Sequence, residues 1–327
     1  MLLTSICLVA LSAVVSATYP LTLLYQFPNT QYVNIENIAV RDNGQLLLTL
    51  PTGAALVQLD PANPVPEELI RLVGPQSMVG IAETGHGVYT VSAGNFSFGP
   101  QVPGGVAGVP GTFSVWTIDL TGDTASASLV TEIPEANTLN GVTALPGSPD
   151  TVLIADSGLG AVWRVNIKTG EYSTAISVPE FAPTADFSLG VNGVRAPRKG
   201  SLLWTNSAQG TYGVIYIDEK GNAGGAPLVI ANAPNGTNFD DFSVKKGTAY
   251  IATQPNAVYE VPYDGVPILI AGGGDDETIV SPTSTALSKD GCTLYVTTGG
   301  AGGPQPVSGQ VFTIGLCDGK KEKRWIA

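Results

Sequence analysis

Histidine is nearly absent. A chain of 327 residues carries one, His86, in the segment ETGHGVY. Serine and cysteine hydrolases need an imidazole beside a nucleophile, in many of them a serine held on a sharp strand-to-helix turn. No serine here sits in such an elbow and no second His exists, so those mechanisms are excluded. His86 itself reads as a surface residue in a hairpin turn. Charge is scarce as well, at 13% of residues, and one-sided: 15 Lys and Arg against 27 Asp and Glu leave a net charge of −12. With an isoelectric point near 4.4, the chain is not expected to take nucleic acid or an anionic membrane as partner, and the acidity reads as a solubility device. Runs such as AGGGDDE lack the Lys-Ser/Thr of a phosphate loop. Long amphipathic helices are missing, and past the first residues nothing approaches the roughly 20 apolar residues of a membrane span.

Cysteine is sparse: Cys7, Cys292 and Cys317. Cys7 lies in MLLTSICLVALSAVVSA, an apolar run of signal-peptide length that closes on Val15-Ser16-Ala17, although no Lys or Arg opens it. Residues 1–17 therefore read as a secretory leader cleaved before Thr18. The two cysteines that remain, in a secretory setting and with no His near either, read as a Cys292–Cys317 disulfide. The sequons at Asn95 and Asn235 are glycosylation candidates and agree with secretion.

What the chain does have is 40 Gly, 24 Pro and many short runs of Val, Ile, Thr and Tyr, the composition of strands and turns. It also repeats itself. NGVTALPGSPDTVLIADSGLGAVWRVNIKTG, from Asn140, returns from Asn192 as NGVRAPRKGSLLWTNSAQGTYGVIYIDEKG. Further copies start at Glu36, Val79, Asp240 and Ser281, so the six starts are spaced by 43, 61, 52, 48 and 41 residues. A period of this size with three or four short strands per unit predicts an all-β, six-bladed β-propeller over residues 18–319. A solenoid would repeat more tightly and more uniformly.

The last unit ends after its third strand, QVFTIGL, while PLTLLYQFP, at residues 20–28, stands before the first unit without a role there. It is expected to be the outer strand of blade six, closing the ring and setting Cys292 beside Cys317 on antiparallel neighbours. Two Gly-Pro-rich connections, residues 95–111 in unit two and 299–309 in unit six, fall between second and third strands and so on one face of the ring, as filler or as lids. Residues 320–327 read as a disordered tail.

The inner strands of a propeller line its channel, and their first residues meet at one mouth. Glu36 with Asn37, Asn140, Asn192, and Asp240 with Asp241 open four units; Met78-Val79 and Pro282-Thr283 open the others. Two carboxylates and two carboxamides suit a hard cation such as Ca²⁺, Mg²⁺ or Mn²⁺, though Asn-Gly is also a turn pair. The six-unit pattern with Glu36, Asn140-Gly, Asn192-Gly and Asp241 resembles the SMP-30/gluconolactonase/LRE-like propellers. That resemblance implies a divalent cation held by Glu36, Asn192 and Asp241, with Asn140 near the substrate. It also implies metal-assisted lactone or ester hydrolysis, with Asp240 or Asp241 activating water. The FDDF and NIENI contexts depart from the family's usual Pro-Asp-Gly and Glu-Gly-Pro.

A narrower resemblance, in VNGVRA, LLWTNS and DDF together with length and leader, is to secreted fungal members of this superfamily. These include hetero-Diels–Alderases of tropolonic sesquiterpenoid pathways, which couple a quinone methide to a humulene-type polyene. It implies a pericyclase that requires no cofactor, in which an apolar cavity takes a small apolar organic substrate and a few donors polarise an oxygen terminus. Asn37, Asn140, Asn192 and Arg195 are the candidate donors. Met78, Phe96, Phe98, Phe187, Trp204, Phe239 and Phe242 are candidate wall. Phe96 and Phe98 lead that set because a Gly-Pro loop has little structural use for two Phe. The pericyclase is the preferred reading, a metal hydrolase the second, and a non-catalytic propeller that binds a small molecule or peptide the third. The protein is expected to be a monomer, secreted or held in the lumen of the secretory pathway.

Overall fold

The copy that begins near Asn140 folds into four antiparallel strands paired in chain order: Leu139–Leu145, Ser148–Asp156, Ala161–Asn166 and Tyr172–Ser177. Successive side chains on a strand point to opposite faces. On the second strand, Val152 and Ile154 pack with Phe113 and Val115 of the preceding blade, whereas Leu153 and Ala155 pack with Val194, Leu202 and Trp204 of the next. Both faces of this strand are covered, which is why its sequence is a continuous apolar run and not an alternation.

Five further sheets repeat this plan, giving the six-bladed β-propeller. The computed structural model describes residues 19–30, 33–99 and 101–317; the leader assigned to 1–17 and the tail assigned to 320–327 lie outside them. Among the described residues there is no α-helix, only 3₁₀ turns at Pro103–Gly105 and Pro179–Phe181. The inner strands are Asn37–Val40, Ser77–Gly85, Leu139–Leu145, Val191–Arg198, Asn238–Lys245 and Pro282–Leu287.

Neighbouring blades are stitched by hydroxyls. Ser92 Oγ accepts from the Gly80 N–H (2.9 Å) and donates to the Asn140 carbonyl of the next blade (2.8 Å). Thr205 Oγ1 does the same between Gly193 N–H (3.0 Å) and the Asp240 carbonyl (2.7 Å), and Thr49 between Asn37 and Val79. The glycine that follows the first residue of the unit, in Val79-Gly80 as in Asn140-Gly141, permits this approach. A Cβ at Gly80 would lie 2.1 Å from the Asn140 carbonyl oxygen, and one at Gly141 would lie 2.6 Å from that of Asn192.

The ring closes as expected. Leu21–Gln26 pairs with Gln310–Gly315, which continues through Thr293–Thr298 to Pro282–Leu287. Cys292 and Cys317 form a disulfide across a Cα–Cα distance of 5.0 Å. Thr283 Oγ1 donates to the Ile35 carbonyl at 2.8 Å, joining the last blade to the first. In the connection of blade two, Phe96–Phe98 pairs with Val106–Gly108.

Candidate functional site

Four inner strands carry a β-bulge at the same place. Pairing with the second strand skips from Met78 to Ile81, Leu139 to Val142, Val191 to Val194 and Phe239 to Phe242. Two residues then oppose one, and the extra residue re-aims its side chain. The first residue of each bulge, Val79, Asn140, Asn192 or Asp240, turns to one mouth of the channel. Together with Glu36 and Thr283 these residues line a cavity of about 850 Å³. The second, Gly80, Gly141, Gly193 or Asp241, lies at the level below.

Asp241 is the centre of that lower level and is buried. Its carboxylate accepts from Asn37 Nδ2 at 2.6 Å, Arg195 Nη2 at 2.7 Å and the Phe242 N–H at 2.7 Å, with Ser284 Oγ at 3.4 Å. Residues of blades one, four, five and six thus meet in one plug. The Arg195 guanidinium lies 5.5 Å from the Phe242 ring centroid and borders a second cavity of about 450 Å³ with Ile38, Ile81 and Val142. Asp241, Asn37 and Arg195 are therefore corrected from cavity residues to plug residues. The metal set expected from the resemblance loses Asp241, whose oxygens are committed to cation and amide partners, and the bulge puts Asp240 where Asp241 was expected.

Several expected wall residues also lie elsewhere. Met78 is buried between blades one and two, Phe239 and Phe242 pack with Tyr212, and Trp204 meets Phe181 edge-on. Their side chains alternate into the blade interfaces and away from the channel. Phe96, Phe98 and Phe187 do line the cavity, joined by Val79, Val106 and Leu189.

The polar part of the cavity is rich in oxygen. Asn140 Nδ2 donates to Ser157 Oγ (3.3 Å); Asn192 Nδ2 donates to Ser207 Oγ and to Asp240 Oδ1 (both 2.9 Å). Ser157 and Ser207 in turn donate to the Val191 and Phe239 carbonyls, at 2.7 and 2.8 Å, so each presents a lone pair to its Asn. The Oδ1 atoms of Asn140 and Asn192, and that of Asn34 on the same cavity, are buried without a hydrogen-bond partner. Buried polar atoms are rarely left unpaired. Oxygens of this kind beside the Glu36 and Asp240 carboxyls fit a hard cation, with Glu36, Asn140, Asn192 and Asp240 as the residues that would hold it.

Burial, followed by the Asp240 and Asp241 charges, holds the Glu36 carboxyl well above the ordinary carboxylate range. Burial, opposed by hydrogen bonds from Gln254 and Asn192 and reinforced by the Asp241 charge, pushes Asp240 up to about 7. Gln254 was not anticipated. Its Nε2 donates to Asp240 Oδ2 (3.2 Å) and to the Pro282 carbonyl (2.9 Å). The signal was available: Gln254 ends ATQ where Ser157 ends ADS and Ser207 ends TNS.

His86 is exposed, its Nδ1 2.8 Å from Asp42, in the turn that follows an inner strand and outside the cavity. Of the two sequon residues, Asn235 is exposed in a turn, while Asn95 is half-buried and accepts from the Gln76 N–H at 2.9 Å.

No protein-family model matches the chain. A "Putative hetero-Diels-Alderase" of Phoma sp is 31% identical over 313 residues, spanning 85% of this chain and 86% of that protein. A "Putative hetero-Diels-Alderase asR5" of Sarocladium schorii is 29% identical over 319 residues, spanning 85% and 78%. Among solved structures, a luciferin-regenerating enzyme superposes with a TM-score of 0.64 at 12% identity, covering 92% of this chain and 96% of its own. The calcium-binding protein regucalcin of Agrobacterium tumefaciens gives 0.62 at 16% identity, covering 91% and 94%. These two likenesses concern the fold. At the level of sequence, the chain belongs to the hetero-Diels-Alderase family, built on the six-bladed propeller that regucalcin and the luciferin-regenerating enzyme share.

Proposed function

We propose that the cavity catalyses an intermolecular hetero-Diels–Alder cycloaddition between a quinone methide and an apolar polyene of the humulene type. The observation that carries this reading is the cavity itself: about 850 Å³, within the usual range for small-molecule sites, with an aromatic and aliphatic wall facing a carboxyl pair. In the reaction, the exocyclic methylene carbon bonds to one alkene carbon and the quinone methide oxygen to the other. Three π bonds become one π and two σ bonds, and no proton is gained or lost. No nucleophile or strong base is needed. A neutral carboxylic acid in an apolar site is a hydrogen-bond donor, and Glu36 or Asp240 in that form would donate to the quinone methide oxygen and make the heterodiene more electrophilic. Holding both reactants together removes much of the entropic barrier. The Phe96, Phe187 and Leu189 wall would keep out the water that otherwise adds to a quinone methide.

The test is incubation of the protein with a quinone methide released in situ and humulene, followed by chiral chromatography. An adduct with a clear enantiomeric excess, formed about 100-fold more slowly by Glu36→Ala or Asp240→Ala, is the expected result. A racemic adduct at the buffer rate overturns the reading.

The unpartnered Asn140 and Asn192 oxygens favour a second reading, metal-assisted lactone hydrolysis. A divalent cation bound there would polarise a lactone carbonyl, while Asp240 as carboxylate would take a proton from water. Lactone turnover that chelator abolishes and Ca²⁺ restores would select this alternative.

A further inference from the structure

The cavity wall is not built evenly. Glu36, Asp240, Gln254, Ser281 and Thr283 form one polar side, from blades five, six and one or their connections; Asn140, Asn192 and Ser207 extend it onto blades three and four, and Thr184 and Asp186 add polar groups on the connection between those two blades. Across the ring, the hydrocarbon surface comes mainly from elements that belong to no blade. Phe96 and Phe98 stand on the hairpin inserted in blade two, and Phe187 and Leu189 on the connection from blade three to blade four. Phe98 is 68% exposed on a hairpin rich in glycine and proline, a costly place for an aromatic ring that has nothing to cover.

These two elements are fastened to each other. Ser188 donates from its backbone N–H to the Pro103 carbonyl at 3.3 Å and from its hydroxyl to the same oxygen at 2.9 Å and to the Val106 carbonyl. Beside it, the Phe187 ring lies against Gly104, where a Cβ would fall 1.6 Å from Phe187 Cδ2; Gly104 also holds a φ of 72°. The root of the hairpin is set on blade three, where Gly108 donates to Thr138 Oγ1 at 3.1 Å and sits where a Cβ would be 2.0 Å from the Asn137 carbonyl. The hairpin therefore starts in blade two, crosses blade three and is clasped by the segment that leads into blade four.

Resting on the reading of the cavity as a two-substrate site, we infer that this clasped wall is the subsite for the hydrocarbon partner. Phe98 is its specificity-determining side chain, and the Ser188–Gly104 clasp sets the size of hydrocarbon admitted. The oxygenated partner then lies on the carboxyl side, and the two reactants meet with fixed faces. A hydrocarbon offers no hydrogen bonds, so only shape and apolar area discriminate its size, and both belong here to the hairpin and the connection. Ser188 acts through that wall as a positioning residue.

The experiment measures binding without turnover, by calorimetry, for three probes: a C15 macrocyclic triene, a C10 monoterpene hydrocarbon and salicylaldehyde as an unreactive phenolic carbonyl. Phe98→Ala is expected to weaken the C15 hydrocarbon about 10-fold and to leave salicylaldehyde within about 2-fold. Ser188→Ala, with Ser188→Thr as the conservative control, is expected to change the C15-to-C10 affinity ratio while the salicylaldehyde affinity holds. Gly104→Ala, which forces Phe187 off the hairpin, should change the ratio in the same direction as Ser188→Ala. Equal losses for all three probes, or unchanged hydrocarbon affinity in Phe98→Ala and Ser188→Ala, overturn the inference. Hydrocarbon binding with the expected dependence but no adduct in the cycloaddition assay overturns the proposed reaction and leaves the subsite standing.

Discussion

Asp240 and Asp241 are neighbours with the same side chain and opposite tasks. The bulge in their strand sends Asp240 toward the cavity, beside Asn192 and Gln254, and Asp241 into the plug, where Arg195 and Asn37 hold it. Removing one partner of a buried ion pair leaves the other without compensation, at a cost of about 3–5 kcal/mol. Arg195 keeps a fifth of its side chain in contact with solvent, which places Asp241→Ala at the lower end, about 3 kcal/mol. Asp240→Ala leaves Asn192 and Gln254 free to turn to water in the cavity, so its cost should stay within about 1 kcal/mol while activity falls. Urea denaturation of the two variants separates the roles. Equal midpoints would show that the plug is not a stabilising element.

At the scale of the element, the sixth blade has the hardest task, because its outer strand comes from the other end of the chain. The Cys292–Cys317 bond spans 25 residues of sequence and ties the second strand of that blade to the third. Closing a loop of this length restricts the unfolded chain by about 3 kcal/mol in the chain-entropy model. Cys292→Ser/Cys317→Ser should lower the denaturation midpoint accordingly, and an unchanged midpoint would mean that strand pairing alone secures the closure. This part of the fold was legible before any coordinates. The unit spacing, the incomplete last unit and the orphan PLTLLYQFP all follow from hydrophobic runs and turns, which periodicity reports well. The site was legible to the level of the unit but not of the residue. Glu36, Asn140, Asn192 and Asp240 come from the first words of their units, yet a bulge breaks the two-residue alternation without leaving a mark in the hydrophobic pattern. Asp241 was misplaced for that reason, and Asn37 and Arg195 were misplaced because they are its partners in the plug. The glycines were the overlooked guide: Gly80, Gly141 and Gly193 occupy the lower register, and Asp241 aligns with them. Met78, Trp204, Phe239 and Phe242 could not be told from wall, since a propeller buries aromatic residues between blades as readily as at its channel.

For the whole molecule, the distribution of carboxyl groups makes stability depend on pH in two opposite ways. At the surface, Asp42 is held below the ordinary range first by Lys289, Asp119 by Thr121 and Asp290 by Ser288. Groups of this kind stabilise the fold above their unfolded values and lose that contribution only as pH falls through their lowered ones, so their effect is complete by about pH 5. In the cavity, Glu36 and Asp240 are raised, Asp240 from 3.8 to about 7. Between those values the folded chain binds more protons than the unfolded one, and stability falls as pH rises. In the presence of chelator, the unfolding free energy should therefore pass through a maximum near about pH 5 and decline toward about pH 7 and above, and Glu36→Gln/Asp240→Asn should flatten the decline. Cycloaddition that relies on a neutral carboxyl as donor should fall over the same range. Addition of Ca²⁺ reverses the sign if the cavity holds it, because the deprotonated carboxyls are the ligating form and binding to the folded state alone adds stability. Denaturation curves at a series of pH values, with chelator and then with Ca²⁺, separate the two proposed chemistries. A decline that Ca²⁺ leaves untouched supports the neutral-acid donor, and a profile that Ca²⁺ lifts above about pH 7 supports the metal-assisted hydrolase. A stability that rises steadily from pH 5 to 8 in chelator would refute the protonated cavity pair itself.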